Sequence, residues 1–220
     1  MSIQAWPTIR NPELEAEARA LYSPALPYHN FDHIEDTLAA AATIVERCRE
    51  ENIRIDVEVV YYALLFHDAG YQDDHAARGF ASKERYSAAL AEPILRRHSV
   101  NALQVEKTLA AILATERDAL SVSAEQKAVR AADLSGLAAD YPRFLQSSLR
   151  LKREHEFLYG QALSWAQWQT NSRNVLGHYL TQEIRLTSYY HDGSGESSFH
   201  KAVRGNLERL LAEPGQPAQV

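Results

Sequence analysis

A histidine and an aspartate stand side by side at the end of the most apolar stretch of the chain. His67 and Asp68 follow Ala63-Leu64-Leu65-Phe66, with Val60 earlier on the same helical face. Both side chains are therefore predicted to point toward the buried side of a helix. An ionised carboxylate there costs free energy unless it is paired or binds a metal. A lone core histidine is usually only hydrogen-bonded, but this adjacent pair favours two metal ligands.

The same pattern recurs at two further positions. Asp133 is spaced by four residues from Val129 and Leu137, so a carboxylate again lies in line with apolar side chains. The alternative is a buried aspartate that caps a helix or pairs with an arginine. His33 opens a long amphipathic helix, and the nearby His29 is either functional or part of a polar helix start.

Two imidazoles and two carboxylates would form a mixed nitrogen–oxygen site for a divalent metal ion. The predicted ligands are His33, His67, Asp68 and Asp133. Such donors suit Mn, Mg, Co, Ni, Fe or Zn, without the preference that thiolates would bring. A metal ion held in this way can lower the pKa of a bound water and polarise a phosphoryl oxygen.

Helical signals dominate the elements that must position these ligands. Predicted helix-starting residues are Asn11, Asn30, Asp56, Ser82, Asn101, Ser123 and Asp140. The predicted helices run over about 12–22, 30–50, 56–70, 82–98, 101–115, 123–136, from 140 onward, over 165–190 as one or two helices, and over 199–211. Residues 191–197 are predicted to form a loop, and residues 214–220 a frayed tail.

This pattern predicts an all-α fold without strands, repeats or an internal linker. We expect residues 1–220 to form a single domain. Its metal-site half would cover about 24–140, and a C-terminal helical extension would cover about 141–212.

Composition excludes several classes of protein. The chain has 220 residues, of which 45% are apolar and 24% charged, and its net charge is −6. These values predict a soluble, cytoplasmic, globular protein, and the interspersed charges disfavour nucleic acid as a partner. No apolar run predicts a membrane span, and residues 1–10 do not resemble a signal peptide. The single cysteine, Cys48, excludes an internal disulfide framework and a cysteine-rich zinc site.

The ordered set His33, His67-Asp68 and Asp133 resembles the HD superfamily of metal-dependent phosphohydrolases. More narrowly, the chain resembles a small bacterial group of HD-superfamily phosphohydrolases over nearly its whole length. The motifs that carry this resemblance are Tyr28-His29…His33-Ile34, Phe66-His67-Asp68, Glu84…Ser87-Ala88, Asp133-Leu134-Ser135, Arg173…Val175-Leu176 and Arg204…Asn206-Leu207. The resemblance implies an HD-domain-like helical bundle with the metal between helices, held by those four ligands. It also implies hydrolysis of a phosphoester, often of a nucleotide, by a metal-activated water.

Residues around the next helix are candidates for catalysis and substrate binding. Glu84 is predicted to act beside Asp68 as a base or as an orienter of the attacking water. The alternative is a solvated glutamate in the first turn of a helix. Arg78 and Lys83 are candidates for binding a substrate phosphate, against the alternative of ordinary surface charges. Tyr71 is a candidate for the pocket wall.

One departure from the group leaves the function open. Some relatives carry a histidine for a second metal after the position of Thr115, where this chain has Glu116-Arg117-Asp118. This change disfavours a dinuclear metal site and the alternative function of a di-iron oxygenase. Glu116 or Asp118 could still support a second ion. The preferred function is a metal-dependent phosphohydrolase with a small phosphorylated substrate. The main alternative is a non-catalytic regulatory module that binds a nucleotide or a metal.

Overall fold

The computed structural model describes residues 9–193 and 195–217, and these residues are helical with no strand beyond an isolated bridge. This confirms the predicted all-α fold. The α-helices are α1 (Pro12–Arg19), α2 (Phe31–Glu50), α3 (Val57–Phe66), α4 (Lys83–Arg97), α5 (Ala102–Leu113), α6 (Ala124–Asp133), α7 (Tyr141–Tyr159), α8 (Trp165–Leu180) and α9 (Ser198–Ala212). A short 3-10 helix, Leu134–Ala138, follows α6. No helix in the described part of the chain is both long and apolar enough to cross a bilayer.

The chain divides into two compact units, Met1–Asp133 and Leu134–Val220. The boundary lies close to the predicted division between a metal-site half and the C-terminal helices. Whether both units form one domain stays a prediction.

Helix α3 is the core of the first unit. Asp56 caps it by accepting a hydrogen bond from the Val59 amide at 3.3 Å, and nearly every following side chain is buried. It packs against α2, α5 and α6. Burying a large aliphatic or aromatic side chain contributes about 1.5–3 kcal/mol, so this apolar helix is fixed at the centre of the unit. Its carboxyl end, where His67 lies, is therefore also deep in the unit.

Side-chain caps occur where the sequence predicts them. Each of the following residues accepts a backbone N–H of its helix: Asn11, Asn30, Asp56, Ser82, Asn101 and Asp140. Ser123 and Gln126 form the predicted reciprocal pair, because each side chain accepts a hydrogen bond from the other residue's amide. These bonds satisfy amides that the first helical turn leaves without partners.

Two helices near the site end earlier than predicted. Helix α3 ends at Phe66 rather than near Gly70, and residues 67–70 form a tight turn. Helix α6 ends at Asp133, and the 3-10 helix replaces the predicted last α-helical turn to Gly136. Gly70 has φ +72°, a backbone conformation that residues with a side chain rarely adopt, so the last position of the turn favours glycine.

The second unit contains the 3-10 helix and α7 to α9. The predicted helical stretch over 165–190 was wrong in its second part, because α8 ends at Leu180. The predicted loop over 191–197 contains the bridge between Asp192 and Gly195. Asn206 on α9 donates to the carbonyls of Leu137 and Ala139, at 2.9 and 2.8 Å, and so ties α9 to the segment before α7. Of the predicted frayed tail, residues 218–220 lie outside the described part of the chain.

Candidate metal centre

Four side chains from three places in the first unit converge on one point. His33, His67, Asp68 and Asp133 each offer one ligand atom, and these atoms all lie within 4.8 Å of one another. The two histidines and Asp68 are buried, and the Asp133 side chain is 24% exposed. The structure therefore brings together the four residues that the sequence predicts as ligands, and this group could hold a metal ion.

The His67 ring is fixed by the helix that precedes it. His67 is the C-cap of α3, and its Nδ1 lies 2.9 Å from the Leu64 carbonyl oxygen. A carbonyl oxygen only accepts, so Nδ1 carries a proton and donates it. In the neutral ring, Nε2 is then the nitrogen that carries the free lone pair. It lies 3.2 Å from Oδ2 of Asp68 and 3.4 Å from Oδ1 of Asp133.

His33 brings a second imidazole nitrogen to the same carboxylates. It lies in the first turn of α2, with its ring centroid 4.7 Å from that of Tyr28. Its Nε2 lies 3.5 Å from Oδ1 of Asp133 and 3.6 Å from Oδ2 of Asp68.

Both Nε2 atoms, of His33 and of His67, are buried and have no hydrogen-bond partner. A buried polar atom without a partner costs about 1–3 kcal/mol. Two such atoms that face the same two carboxylates fit a divalent ion, because the ion would satisfy all four groups at once. The ligand chemistry also fits, since imidazole and carboxylate suit Zn, Fe, Mn, Co and Ni.

Asp68 is positioned by the turn that follows α3. The amide of Ala69 donates to the Phe66 carbonyl at 3.0 Å, and the amide of Tyr71 donates to the Asp68 carbonyl at 3.1 Å. Ser87 on α4 donates its hydroxyl proton to the Ala69 carbonyl at 2.9 Å. Because the turn is tied both internally and to α4, the Asp68 carboxylate has a defined position.

Asp133 reaches the site from the last residue of α6. The alternative that it pairs with an arginine is not what the structure gives, because its ion-pair partners are His33 and His67. Arg130, one turn earlier, is buried and donates to the carbonyls of Ala114, Glu116 and Arg117 at 2.7–2.9 Å. Arg130 was not predicted as a buried residue; the signal was a charged residue between Ala128-Val129 and Ala131-Ala132.

The electrostatics of the metal-free group favour ionised carboxylates. Burial alone would lower the pKa of His67, but the Asp68 and Asp133 carboxylates beside its ring raise that pKa to about 10. Burial opposes ionisation of Asp68, yet Lys83 and then His67 hold the pKa of that carboxyl well below its usual value. The pKa of Asp133 is also lowered, against burial, by the two neighbouring histidines. The carboxylates of Asp68 and Asp133 thus favour a proton on Nε2 of His67, the atom that would bind a metal ion.

Lys83 and Glu84 lie directly beside the four ligands. The Lys83 ammonium lies 2.9 Å from Oδ1 of Asp68 and 3.0 Å from Oε1 of Glu84. Glu84 is buried, so the alternative of a solvated first-turn glutamate was wrong. The Lys83 side chain as a whole remains 36% exposed, although its ammonium lies between these two carboxylates.

The other predicted substrate residue, Arg78, has different partners. Its side chain is 54% exposed, and it pairs with Asp73 at 3.1 Å. Its guanidinium also lies 5.4 Å from the ring centroid of Tyr86. Binding of a substrate phosphate by Arg78 stays a prediction that none of these contacts supports.

Aromatic side chains stand next to the ligands. His29 stacks on Tyr71 with ring centroids 3.8 Å apart and planes 11° apart, and His29 lies 5.7 Å from the ring of His33. The Lys83 ammonium lies 5.2 Å from the centroid of the Tyr71 ring. These contacts place Tyr71 and His29 beside the ligand set, and Tyr71 stays a candidate for the pocket wall.

No family model matches the chain, and a search of the curated proteins finds no similar one.

Proposed function

We propose that His33, His67, Asp68 and Asp133 hold one divalent metal ion and that the protein is a metal-dependent phosphohydrolase. The observation that carries the metal site is the pair of buried Nε2 atoms without hydrogen-bond partners, within a few ångströms of two carboxylates. When bound, the ion would lower the pKa of an attacking water and polarise a phosphoryl oxygen.

The protein's own residues have separate roles in this proposal. Asp68 and Asp133 together balance the double positive charge of the ion. The bond from His67 to the Leu64 carbonyl keeps Nε2 aimed at the site. Glu84, buried and next to Lys83, is assigned to accept a proton from the attacking water.

The choice of a phosphoester as substrate is supported by charge and by resemblance. An ammonium, that of Lys83, on a partly exposed side chain beside a dication suits an anionic group. The order of the four ligands resembles that of HD-superfamily phosphohydrolases. The stacked pair of His29 and Tyr71 offers an aromatic surface beside the site, which is compatible with a nucleotide. The cytoplasmic location stays a prediction from the composition.

The first experiment measures the metal content of the protein. Wild type and Asp133→Ala would be loaded with Mn²⁺, desalted and analysed by mass spectrometry. We expect one ion per chain in the wild type and a loss in affinity of more than about a hundredfold in the variant, because even outer-shell changes cost 10- to 100-fold. The matched control is Asp32→Ala, an exposed carboxylate next to His33. Equal metal in both aspartate variants would contradict the ligand assignment.

The second experiment measures turnover. Metal-loaded wild type would be tested for phosphate release from a panel of phosphomonoesters and nucleotides. We expect metal-dependent release that Asp68→Asn abolishes while helicity, measured by circular dichroism, persists. Stoichiometric metal without any turnover would instead support the non-catalytic regulatory module.

A further inference from the structure

The two oxygens of the Asp68 carboxylate have different partners. Oδ2 lies 3.2 Å from Nε2 of His67 and 3.6 Å from Nε2 of His33, on the side of the ligand cluster. Oδ1 instead accepts a hydrogen bond from the Lys83 ammonium at 2.9 Å. The Asp68 carboxylate therefore lies between two positions for a positive charge. Oδ2 faces the position of the proposed metal ion, and Oδ1 contacts the Lys83 ammonium.

The position of Lys83 has the acidic surroundings that a second ion would need. Besides Asp68, the buried Glu84 places Oε1 3.0 Å from the same ammonium. These two carboxylates, of Asp68 and Glu84, are the groups that contact the ammonium. Paired metal ions in hydrolases lie about 3.5–4 Å apart and share carboxylate ligands. A chain without the lysine would leave Asp68 and Glu84 without the cation that compensates their charges.

We propose that the Lys83 ammonium is a built-in second cation, which replaces a second metal ion on Oδ1 of Asp68 and keeps the centre mononuclear. This inference rests on the proposed metal site. One of the three ammonium protons is donated to Asp68, and Glu84 forms an ion pair with the same ammonium. A remaining proton is available to an anionic oxygen of the substrate. Lys83 is thus a positioning residue for Asp68 as well as the second positive charge that faces the substrate.

The test counts metal ions. Wild type, Lys83→Ala and Lys83→Met would be equilibrated with Mn²⁺, counted by native mass spectrometry and examined by electron paramagnetic resonance for spin coupling. We expect one uncoupled ion in wild type and a second, coupled ion in both variants. Lys83→Met keeps most of the aliphatic stem, so it tests the charge even if Lys83→Ala folds poorly. Arg85→Ala, which removes an exposed cation from the same helical turn, should retain one ion.

A double variant tests where the second ion binds. Lys83→Ala combined with Glu84→Gln removes a carboxylate of the new position and should return the count to one. Two ions in wild type, or a single ion in Lys83→Ala and Lys83→Met, would overturn the inference while leaving the metal site intact. An absence of bound ions from wild type would overturn the proposed metal site itself, and this inference with it.

Discussion

The Nδ1 atom of His67 lies 2.9 Å from the carbonyl oxygen of Leu64, one helical turn earlier. Because this bond uses the proton on Nδ1, the neutral ring directs the lone pair of Nε2 toward Asp68 and Asp133. A proton on Nε2 and a metal ion therefore compete for the same lone pair, and this competition makes metal binding depend on pH.

We predict that metal binding releases a proton from His67. Asp68 and Asp133 raise the pKa of His67 to about 10 against the effect of burial, so Nε2 is protonated at neutral pH without metal. The pKa values of the two carboxyls are lowered, so neither releases a proton. Apparent affinity should rise about tenfold per pH unit between roughly pH 7.5 and 9.

Isothermal titration in two buffers of different ionisation enthalpy measures that proton. The expected result is about one proton released per ion. A binding enthalpy that does not change with the buffer would show that Nε2 of His67 is already unprotonated, and would contradict this account of the site.

We also predict that metal stabilises the folded protein and that the effect depends on Asp133. An ion that binds only the folded state adds about 2.7 kcal/mol at a free concentration of one hundred times its Kd. Thermal unfolding of wild type with and without Mn²⁺ should therefore show a clear rise in Tm. Asp133→Ala should lose this rise, and Asp32→Ala should keep it. An equal rise in all three proteins would mean that the ion binds elsewhere.

The ligand set could be predicted from the sequence because each ligand interrupts an apolar pattern. His67 and Asp68 end the most buried helix, and Asp133 lies in line with buried residues of α6. Burial of polar groups of this kind requires compensation, so the sequence predicts a shared partner for these side chains. The helix starts were also predictable, because side-chain caps such as those of Asn11 and Ser82 are local.

The contacts between distant segments could not be predicted in the same way. The sequence predicts Lys83 as a residue that binds the substrate phosphate. Its ion pair with Asp68 could not be predicted, because that pair depends on how α4 packs beside the turn after α3. The early end of α3 depends on Gly70, whose amide donates to the Leu21 carbonyl at 3.0 Å across a long sequence separation. Periodicity describes one helix at a time and contains no information on such pairings.

Arg130 is predicted to be a major source of stability in the first unit. Its guanidinium donates to three carbonyls of the segment that follows α5, and it is buried. Arg130→Met keeps the stem but leaves those carbonyls without their donor, so we expect a loss of about 3 kcal/mol. This corresponds to a fall in Tm of roughly 6–12 °C.

The matched control for Arg130→Met is Arg96→Met. Arg96 pairs with Glu92 at 2.7 Å on the exposed surface of α4, and an exposed pair of this kind contributes less than about 1 kcal/mol. Denaturant unfolding of both variants measures the difference. Equal losses of stability would show that the three carbonyls find other donors when the guanidinium is removed.

The last prediction concerns the glycine that closes the turn behind Asp68. Gly70 has φ +72°, and a Cβ there would lie 2.6 Å from Cε1 of Tyr86 and 2.8 Å from Cδ1 of Leu90. Gly79 has φ +86°, but a Cβ there would meet no atom within 4 Å. Gly79→Ala thus measures the cost of a positive φ alone, about 1–2 kcal/mol. Gly70→Ala should cost about 1–3 kcal/mol more because of the clash, and it should weaken Mn²⁺ binding by shifting Asp68. Equal unfolding free energies and equal metal affinities in the two variants would show that the turn yields without moving the ligand.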